Sequence, residues 1–208
     1  MGFSDTRAAD LARADELIGR ALAVSRRYAL AHHVKGQVLR AQNRWKEAIP
    51  EYETALASNP NFAFALTGLA WCKLSAGSIE EVTPLVEQAI RLSPRDPSID
   101  VRYSAIGMVH LLLSRTDEAI VWFEKARRAS PAKPFDHLHL ATAHALSGDL
   151  DRAVAALAEA RRLGGEGSFL SIARMKAGRW WKSLSPRTRA LFEATYYAGL
   201  RKAGMPEK

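Results

Sequence analysis

Residues Ala29–Phe62, ALAHHVKGQVLRAQNRWKEAIPEYETALASNPNF, contain the pattern from which the fold is predicted. A first helical segment contains the small residue Gly36, and the polar pair Gln42-Asn43 interrupts the helical pattern. A second segment follows, and Pro60 closes the unit. The apolar positions of the second segment are Ala48, Tyr52 and Ala55. Apolar residues three or four positions apart share one face of a helix, so the stretch predicts two helices that pack together.

The same pattern recurs along the chain at intervals of about 34 residues. Pro94 and Pro131 end the second and third copies, and Gly165 takes that place in the fourth. The turn inside each copy is marked in order by Asn43, Gly77, Ser114 and Gly148. A repeat of this length is typical of helix-turn-helix arrays, in which each unit packs only against its neighbours.

The repeats predict an all-α fold of helix-turn-helix units flanked by partial units. We place four full units at residues 29–62, 63–96, 100–133 and 134–165. Residues 1–28 predict an N-terminal helix equivalent to half a unit, which suggests a piece of a longer chain. Residues 166–208 predict a degenerate fifth unit with a basic capping helix, because the terminal repeat of an array needs a cover.

Residues 29–165 resemble the tetratricopeptide repeat family, which implies a right-handed α-α superhelix. The family's opening tryptophan is replaced by His32, Leu66, Tyr103 and His137. Two stretches, AGSIEEVTPLVEQAIRLSPRDP and FEATYYAGLRKAGMP, are also similar to the C-terminal repeat segments of multidomain bacterial proteins. Those proteins include class III adenylate or guanylate cyclases and winged-helix regulators. The second resemblance implies a bacterial signalling or regulatory chain, although no cyclase catalytic domain is found in this sequence.

Composition favours a protein of the cytoplasm. The chain has 48% hydrophobic and 25% charged residues, as in ordinary globular proteins. No apolar run approaches the roughly 20 residues that span a bilayer. The first residues, MGFSDTRAAD, lack the apolar core of a secretory signal. The single cysteine, Cys72, cannot form an internal disulfide, which fits a reducing compartment.

The net charge of +8 is concentrated in the tail. Residues 1–166 carry 21 basic and 20 acidic side chains, whereas residues 167–208 carry nine basic and two acidic ones. A cluster of cations surrounds Trp180-Trp181: Arg174, Lys176, Arg179, Lys182, Arg187 and Arg189. Aromatic rings beside cations can stack nucleic-acid bases or lie at a membrane surface. A capping segment with a solvated basic face accounts for the same residues, and we favour it.

We find no pattern typical of a catalytic, cofactor or metal site. The histidines lack the spacing of four that places two metal ligands on one helical face, so we expect them to pack. Cys72 occupies a position that is Val38, Val109 and Ala143 in the other repeats, which indicates a small buried side chain. Glycine-rich phosphate loops and nucleophile elbows are also lacking. We therefore expect a protein that is not an enzyme and binds no cofactor.

The family resemblance implies a concave groove, lined by the first helix of each unit, that holds a partner peptide. The residues expected to face it are Leu30, His33, Gln37, Arg40, Phe64, Thr67, Trp71, Leu74, Val101, Ser104, Met108, Leu111, Phe135, Leu138 and Thr142. Family members that bind a chaperone's C-terminal carboxylate clamp it with lysine, asparagine and arginine. Those positions hold His33, Gln37, Gly68, Val101 and Ala105 here, which argues against such a ligand. The strip favours an apolar or amphipathic segment.

The sequence thus predicts a non-catalytic module that binds a protein segment in the groove. One alternative is a regulatory segment of a larger bacterial cyclase or transcriptional regulator. A second is binding of nucleic acid or a membrane surface through the basic tail, which the near-neutral array makes less favourable. A third is self-association into a homo-oligomer through the same groove. The groove residues could also be inter-repeat core, or be covered by the flanking helices.

Overall fold

The computed structural model describes residues 3–24, 28–165, 167 and 169–208, and the regular elements in those ranges are all helical. The array helices are α1 (Phe3–Val24), α2 (Ala29–Ala41), α3 (Trp45–Ser58), α4 (Ala63–Ala76), α5 (Val82–Leu92), α6 (Ile99–Leu112), α7 (Thr116–Ala129), α8 (Pro134–Ser147) and α9 (Leu150–Gly164). The tail contains α10 (Ile172–Ala177), α11 (Arg179–Ser183), α12 (Pro186–Phe192) and α13 (Ala198–Lys202). A π-helical segment, Glu193–Tyr197, joins α12 to α13. Residues 1, 2, 25–27, 166 and 168, which belong to the predicted terminal segments, lie outside the described residues.

Helices α2 to α9 form consecutive pairs, and each pair packs against the next. The second helix of every pair turns an apolar stripe of small and large residues inward. Its members are at most 3% exposed: Ala48, Tyr52, Ala55, Val82, Val86, Ala89, Ala119, Phe123, Ala126, Ala153, Leu157 and Ala160. The apolar spacing of the repeats therefore predicted the scaffold correctly, and the all-α solenoid is confirmed.

Glycine residues on the first helices allow the second helices to approach them closely. A Cβ atom built at Gly107 would lie 2.6 Å from Cδ1 of Phe123. Tyr52 fits between two glycines, since a Cβ at Gly36 would lie 2.9 Å from its Cζ atom and one at Gly68 only 2.5 Å away. Each large side chain thus fills the space that a missing Cβ leaves open, as close packing requires.

The predicted turn positions adopt the left-handed backbone conformation. The φ angles are 62° at Asn43, 106° at Gly77, 60° at Ser114 and 91° at Gly148. This conformation ends a helix and directs the free carbonyls of its last turn to new donors. The first helix of each pair therefore stops at the position that the sequence indicates.

The tail does more than cover the last pair, because it runs back over the first helices of the second, third and fourth pairs. The Ser185 N–H donates to the Ser75 carbonyl at 2.9 Å, and the Thr188 hydroxyl donates to the Leu74 carbonyl at 2.8 Å. The π-helical segment packs on α6 and α8, and α13 packs on α8. Gly199 permits this last contact, since a Cβ there would lie 2.6 Å from the Thr142 carbonyl oxygen.

Replacing Gly77 by alanine should destabilise the protein more than replacing Gly148. Both residues have positive φ, which costs an alanine about 1–2 kcal/mol. A Cβ at Gly148 meets no atom within 4 Å, whereas a Cβ at Gly77 would lie 2.8 Å from Oγ of Ser185. That hydroxyl caps α12 by accepting from the Thr188 N–H, so it cannot move freely. Urea unfolding of Gly77→Ala and Gly148→Ala measures the difference, and equal losses would contradict tail docking at this turn.

Two imidazoles, those of His33 and His139, lie in apolar surroundings. His33 packs against the rings of Phe62 and Tyr52, with centroids 4.6 and 5.8 Å away. His139 lies 5.0 Å from the Phe123 ring centroid. Burial lowers the pKa of each imidazole to about 4, and the charge of Arg40 contributes at His33. Both side chains are therefore neutral in the folded protein at pH 7.

Stability should consequently decrease as the medium becomes acidic. The unfolded chain protonates its histidines near pH 6.5, but the folded chain holds these two neutral to about pH 4. Their contribution is complete above pH 6.5 and is lost as the pH falls through this window, by up to about 1.4 kcal/mol per pH unit for each. His139→Phe should reduce the slope of unfolding free energy against pH between 6.5 and 4. An unchanged slope in urea titrations would show that His139 is not held neutral.

Candidate functional site

The predicted groove residues separate into an open set and a covered set. Gln37, Arg40, Phe64 and Phe135 are exposed, while Thr67, Trp71 and Val101 are half-buried. The others are at most 6% exposed: His33, Leu74, Ser104, Met108, Leu111, Leu138 and Thr142. Leu30, at the start of α2, is exposed. The first helices therefore present a usable surface only where the tail leaves them uncovered.

Contact with the tail is the reason why most of the covered groove residues are buried. Leu74 lies where Thr188 and Ser185 dock on the last turn of α4. Leu138 and Thr142 are completely buried, and α13 covers α8 beside Thr142. His33 is covered differently, by the packing of its own repeat against Phe62. A partner that binds these residues directly would first have to displace part of the chain.

An open groove remains between α2, α4 and the start of α6. We define it by Gln37, Arg40, Phe64, Thr67 and Trp71, which surround a hollow of about 190 Å³. The Phe64 side chain is 54% exposed, although phenylalanine usually lies inside a protein. Gln37 and Arg40, both predicted to face the groove, line this hollow, whereas His33 does not.

Arg102, which is not among the predicted groove residues, forms part of the floor of the open groove. Its guanidinium is 2% exposed, donates to the Asp96 carboxylate at 2.9 Å and to the Ser93 carbonyl at 3.0 Å. A third bond, from Nε, reaches Oγ1 of Thr67 at 3.1 Å. A buried arginine with three acceptors holds the first turn of α6 against α4 and leaves little charge for a ligand. The only indication of its role in the sequence was the presence of an arginine within a mostly apolar helix.

A second hollow, which we call the aromatic pocket, lies between the first helices and the tail. It has a volume of about 600 Å³. Its walls are Trp71, Val101, Ser104, Met108, Phe135 and His139 from the array, with Phe169, Met175, Trp180, Phe192, Tyr196 and Tyr197 from the tail. Five of these residues were predicted for the groove. The sequence predicted that the tail caps the array and left open whether flanking helices cover the groove.

The aromatic pocket has one acidic corner, formed by Asp100, Asp136 and Lys133. Both aspartates are nearly inaccessible to solvent, at 1% and 3% exposure. Lys133 forms an ion pair with Asp100, and the Ser104 hydroxyl donates to Oδ1 of Asp136 at 2.6 Å. Burial raises the pKa of Asp136, and the Ser104 hydrogen bond opposes that rise. Neither aspartate was singled out from the sequence, since each resembles an ordinary acidic residue in a first turn.

Fewer basic and aromatic side chains of the tail are free to contact a ligand than the composition suggests. Lys176 forms an ion pair with Glu193 at 2.5 Å and lies 4.5 Å from the Tyr197 ring centroid. Arg187 pairs with Glu80. Trp181 packs edge-on to Tyr197 at 5.1 Å between centroids, so its ring faces the core. Arg187 therefore holds the tail to the array, and Lys176 and Trp181 pack within the tail, whereas Arg174, Arg179 and Lys182 are exposed.

The described residues contain no group of three or more His, Cys, Asp and Glu side chains arranged to hold a metal ion. Burial raises the pKa of the Cys72 thiol to about 12, so it is protonated and unreactive at neutral pH. A search of the same residues for a helix long and apolar enough to cross a membrane found none.

The sequence of this array is similar to those of known repeat proteins. Residues 39–103 match the tetratricopeptide repeat family. The Hsp70-Hsp90 organizing protein 3 of Arabidopsis thaliana is 27% identical over 97 residues, which are 47% of this chain and 17% of that protein. The chain therefore spans about a sixth of the length of this curated relative.

Solved structures share the fold over nearly the whole chain. The structure of pilF from Pseudomonas aeruginosa superposes with a TM-score of 0.70 at 21% identity, covering 95% of this chain and 89% of that one. PilW, a type IV pilus biogenesis factor, gives 0.71 at 20% identity, covering 94% and 87%. Together with the helix pairs and their turns, these likenesses identify the fold as an all-α solenoid of tetratricopeptide repeats.

Proposed function

We propose that the protein is a non-catalytic interaction module that binds a segment of a partner protein in the open groove. The observation that carries the proposal is the exposed ring of Phe64 beside half-buried Trp71, in a concavity that the chain's own tail leaves uncovered. Exposed apolar surface in a concave site is typical of binding surfaces. Aromatic side chains in such positions often contribute most of the binding energy.

The charge of the open groove indicates what kind of segment fits. Arg40 is exposed at its edge, and no carboxylate among the described residues lies within ion-pairing distance of its guanidinium. Arg102 is already paired with Asp96 and is buried. An amphipathic segment that places an acidic residue at Arg40 and apolar residues on Phe64 and Trp71 would satisfy both features.

A chaperone's C-terminal carboxylate is not the ligand that we propose, although the name of the Arabidopsis relative refers to Hsp70 and Hsp90. The lysine, asparagine and arginine expected of that clamp are replaced here, and His33 at one clamp position is buried and neutral. The proposed segment is internal, with its affinity derived from apolar contacts and one ion pair.

Other hypotheses from the sequence stay predictions. A regulatory role within a larger bacterial cyclase or transcriptional regulator would require a catalytic or DNA-binding domain encoded upstream of Met1, which sequencing would reveal. Self-association through the open groove would appear as a concentration-dependent mass in light scattering. Binding of nucleic acid through the tail is disfavoured by the inward packing of Trp181 and the ion pairs of Lys176 and Arg187. A cytoplasmic location remains our expectation.

Selection of peptides from a random displayed library tests the proposal. We expect enriched peptides to combine an acidic residue with two or more apolar ones. Phe64→Ala and Arg40→Gln should each weaken binding of the selected peptides about tenfold or more, because one removes the main apolar contact and the other removes the ion pair. Titration by fluorescence anisotropy measures the dissociation constants.

Matched controls lie on the second helices. Val154, 55% exposed on α9, serves as Val154→Ala, and Arg128, an exposed cation on α7, serves as Arg128→Gln. Neither control should change the affinity by more than about twofold, as for surface positions outside an interface. If the groove variants bind as well as the controls, or if no peptide is enriched, the proposed site is wrong.

A further inference from the structure

The acidic corner of the aromatic pocket contains hydrogen-bonding capacity that the described residues do not use. Oδ1 of Asp100 and Oδ2 of Asp136 are buried and have no hydrogen-bond partner. Buried carboxylate oxygens normally have partners, since desolvating them without one is costly. Both aspartates line the pocket, at 1% and 3% exposure. The unused acceptors therefore point to a donor that would come from outside the chain.

The charges at this corner are not balanced, because it contains two aspartates and one lysine. Lys133 forms its ion pair with Asp100. Asp136 receives only a neutral hydroxyl, from Ser104, and within the described chain no basic side chain lies at ion-pairing distance from it. His139, one helical turn further along α8, is neutral. One positive group beside Asp136 would balance the corner.

The remaining walls are suited to an apolar body. Trp180 packs edge-on to Phe192 at 5.5 Å between centroids, and Tyr196 packs on Tyr197 at 5.7 Å. Phe135 and Trp180 keep 57% and 38% of their surface exposed. Aromatic faces attract cations as well as apolar groups. The volume of about 600 Å³ lies in the range of small-molecule sites.

We propose that the aromatic pocket binds a small organic cation, in which a protonated amine or quaternary ammonium group is attached to an apolar or aromatic body. The cationic group lies at Asp136 and Asp100, and the body lies among the rings that the tail contributes. An anion would be repelled by two carboxylates, and a purely apolar molecule would leave their free oxygens unsatisfied. The pocket borders the open groove at Trp71 and Val101, but Phe64 and Arg40 do not line it.

A series of compounds with one body and three head groups tests the proposal on the unaltered protein. Phenylbutylamine, phenylbutanol and phenylbutyrate share their apolar part and differ in charge. Isothermal titration calorimetry measures binding. We expect the amine to bind at least about tenfold more tightly than the alcohol, and the carboxylate to bind more weakly than both. Equal affinity for amine and alcohol would overturn the proposal.

Asp136→Asn then identifies the carboxylate responsible. It keeps the shape of the side chain and its contact with Ser104, and should abolish the preference for amine over alcohol while leaving the alcohol unchanged. Asp117→Asn, an exposed aspartate in the first turn of α7, is the matched control and should retain the full preference. If Asp136→Asn does not fold, the head-group series on the unaltered protein still decides.

The test is independent of partner binding. Phe64→Ala weakens the proposed peptide site but should leave amine affinity unaltered, because Phe64 lies outside the pocket. If only peptides with a lysine or arginine side chain bind at Asp136, and the free amine does not, the pocket is not a small-molecule site. Retention of the amine preference in Asp136→Asn would likewise contradict the assignment.

Discussion

The last turn of α4 is the constraint on which the arrangement of both hollows depends. A helix ends with carbonyl groups that have no donor within the helix, and these must find partners when they are covered. Here the tail supplies them: Thr188 donates to the Leu74 carbonyl, the Ser185 N–H to the Ser75 carbonyl, and Arg187 to the Gly77 carbonyl at 2.8 Å. Gly77 makes the approach possible because it has no side chain in the path of Ser185. Satisfying one helix end therefore fixes where α12 begins.

The anchored position of α12 restricts the path of the rest of the tail. The chain must proceed from the second pair to the fourth across α6, and Phe192, Tyr196 and Leu200 follow one helical stripe that faces the array. Gly199 allows the final contact with α8. The tail thus solves the capping problem of a solenoid by covering its concave face as well as its end. The open groove and the aromatic pocket are the parts of that face that it does not fill.

The sequence predicted the features that depend on local periodicity. The stripe that contains Ala48, Tyr52 and Ala55 recurs and is buried in every pair, and Asn43 and Ser114 adopt the backbone conformation expected of a turn. Such features are set by residues three to seven positions apart, so one copy is enough to recognise the next. The all-α fold followed from this repetition alone.

The tail's path and the two hollows could not be derived in the same way. The bond from Thr188 to Leu74 joins residues 114 positions apart, and a hydroxyl on a short helix does not indicate a distant carbonyl. In the sequence, Asp100 and Asp136 resemble ordinary carboxylates at the start of a helix. Only the structure shows that two helices and the tail surround them. Family resemblance assigned five residues of the pocket wall to the peptide groove, but what faces them is set by tertiary packing that no repeat pattern encodes.

The two hollows share a wall, and this has a thermodynamic consequence for the two proposals taken together. Trp71 and Val101 line both the open groove and the aromatic pocket. A cation in the pocket would restrict the Trp71 ring, and a peptide in the groove would pack on the same ring. Any change that one ligand makes in the affinity of the other must then be reciprocal, by thermodynamic linkage. A rigid ring would cost the second ligand less ordering, so the coupling is expected to be positive. An interaction module of this design could sense a small molecule without any change in the path of its helices.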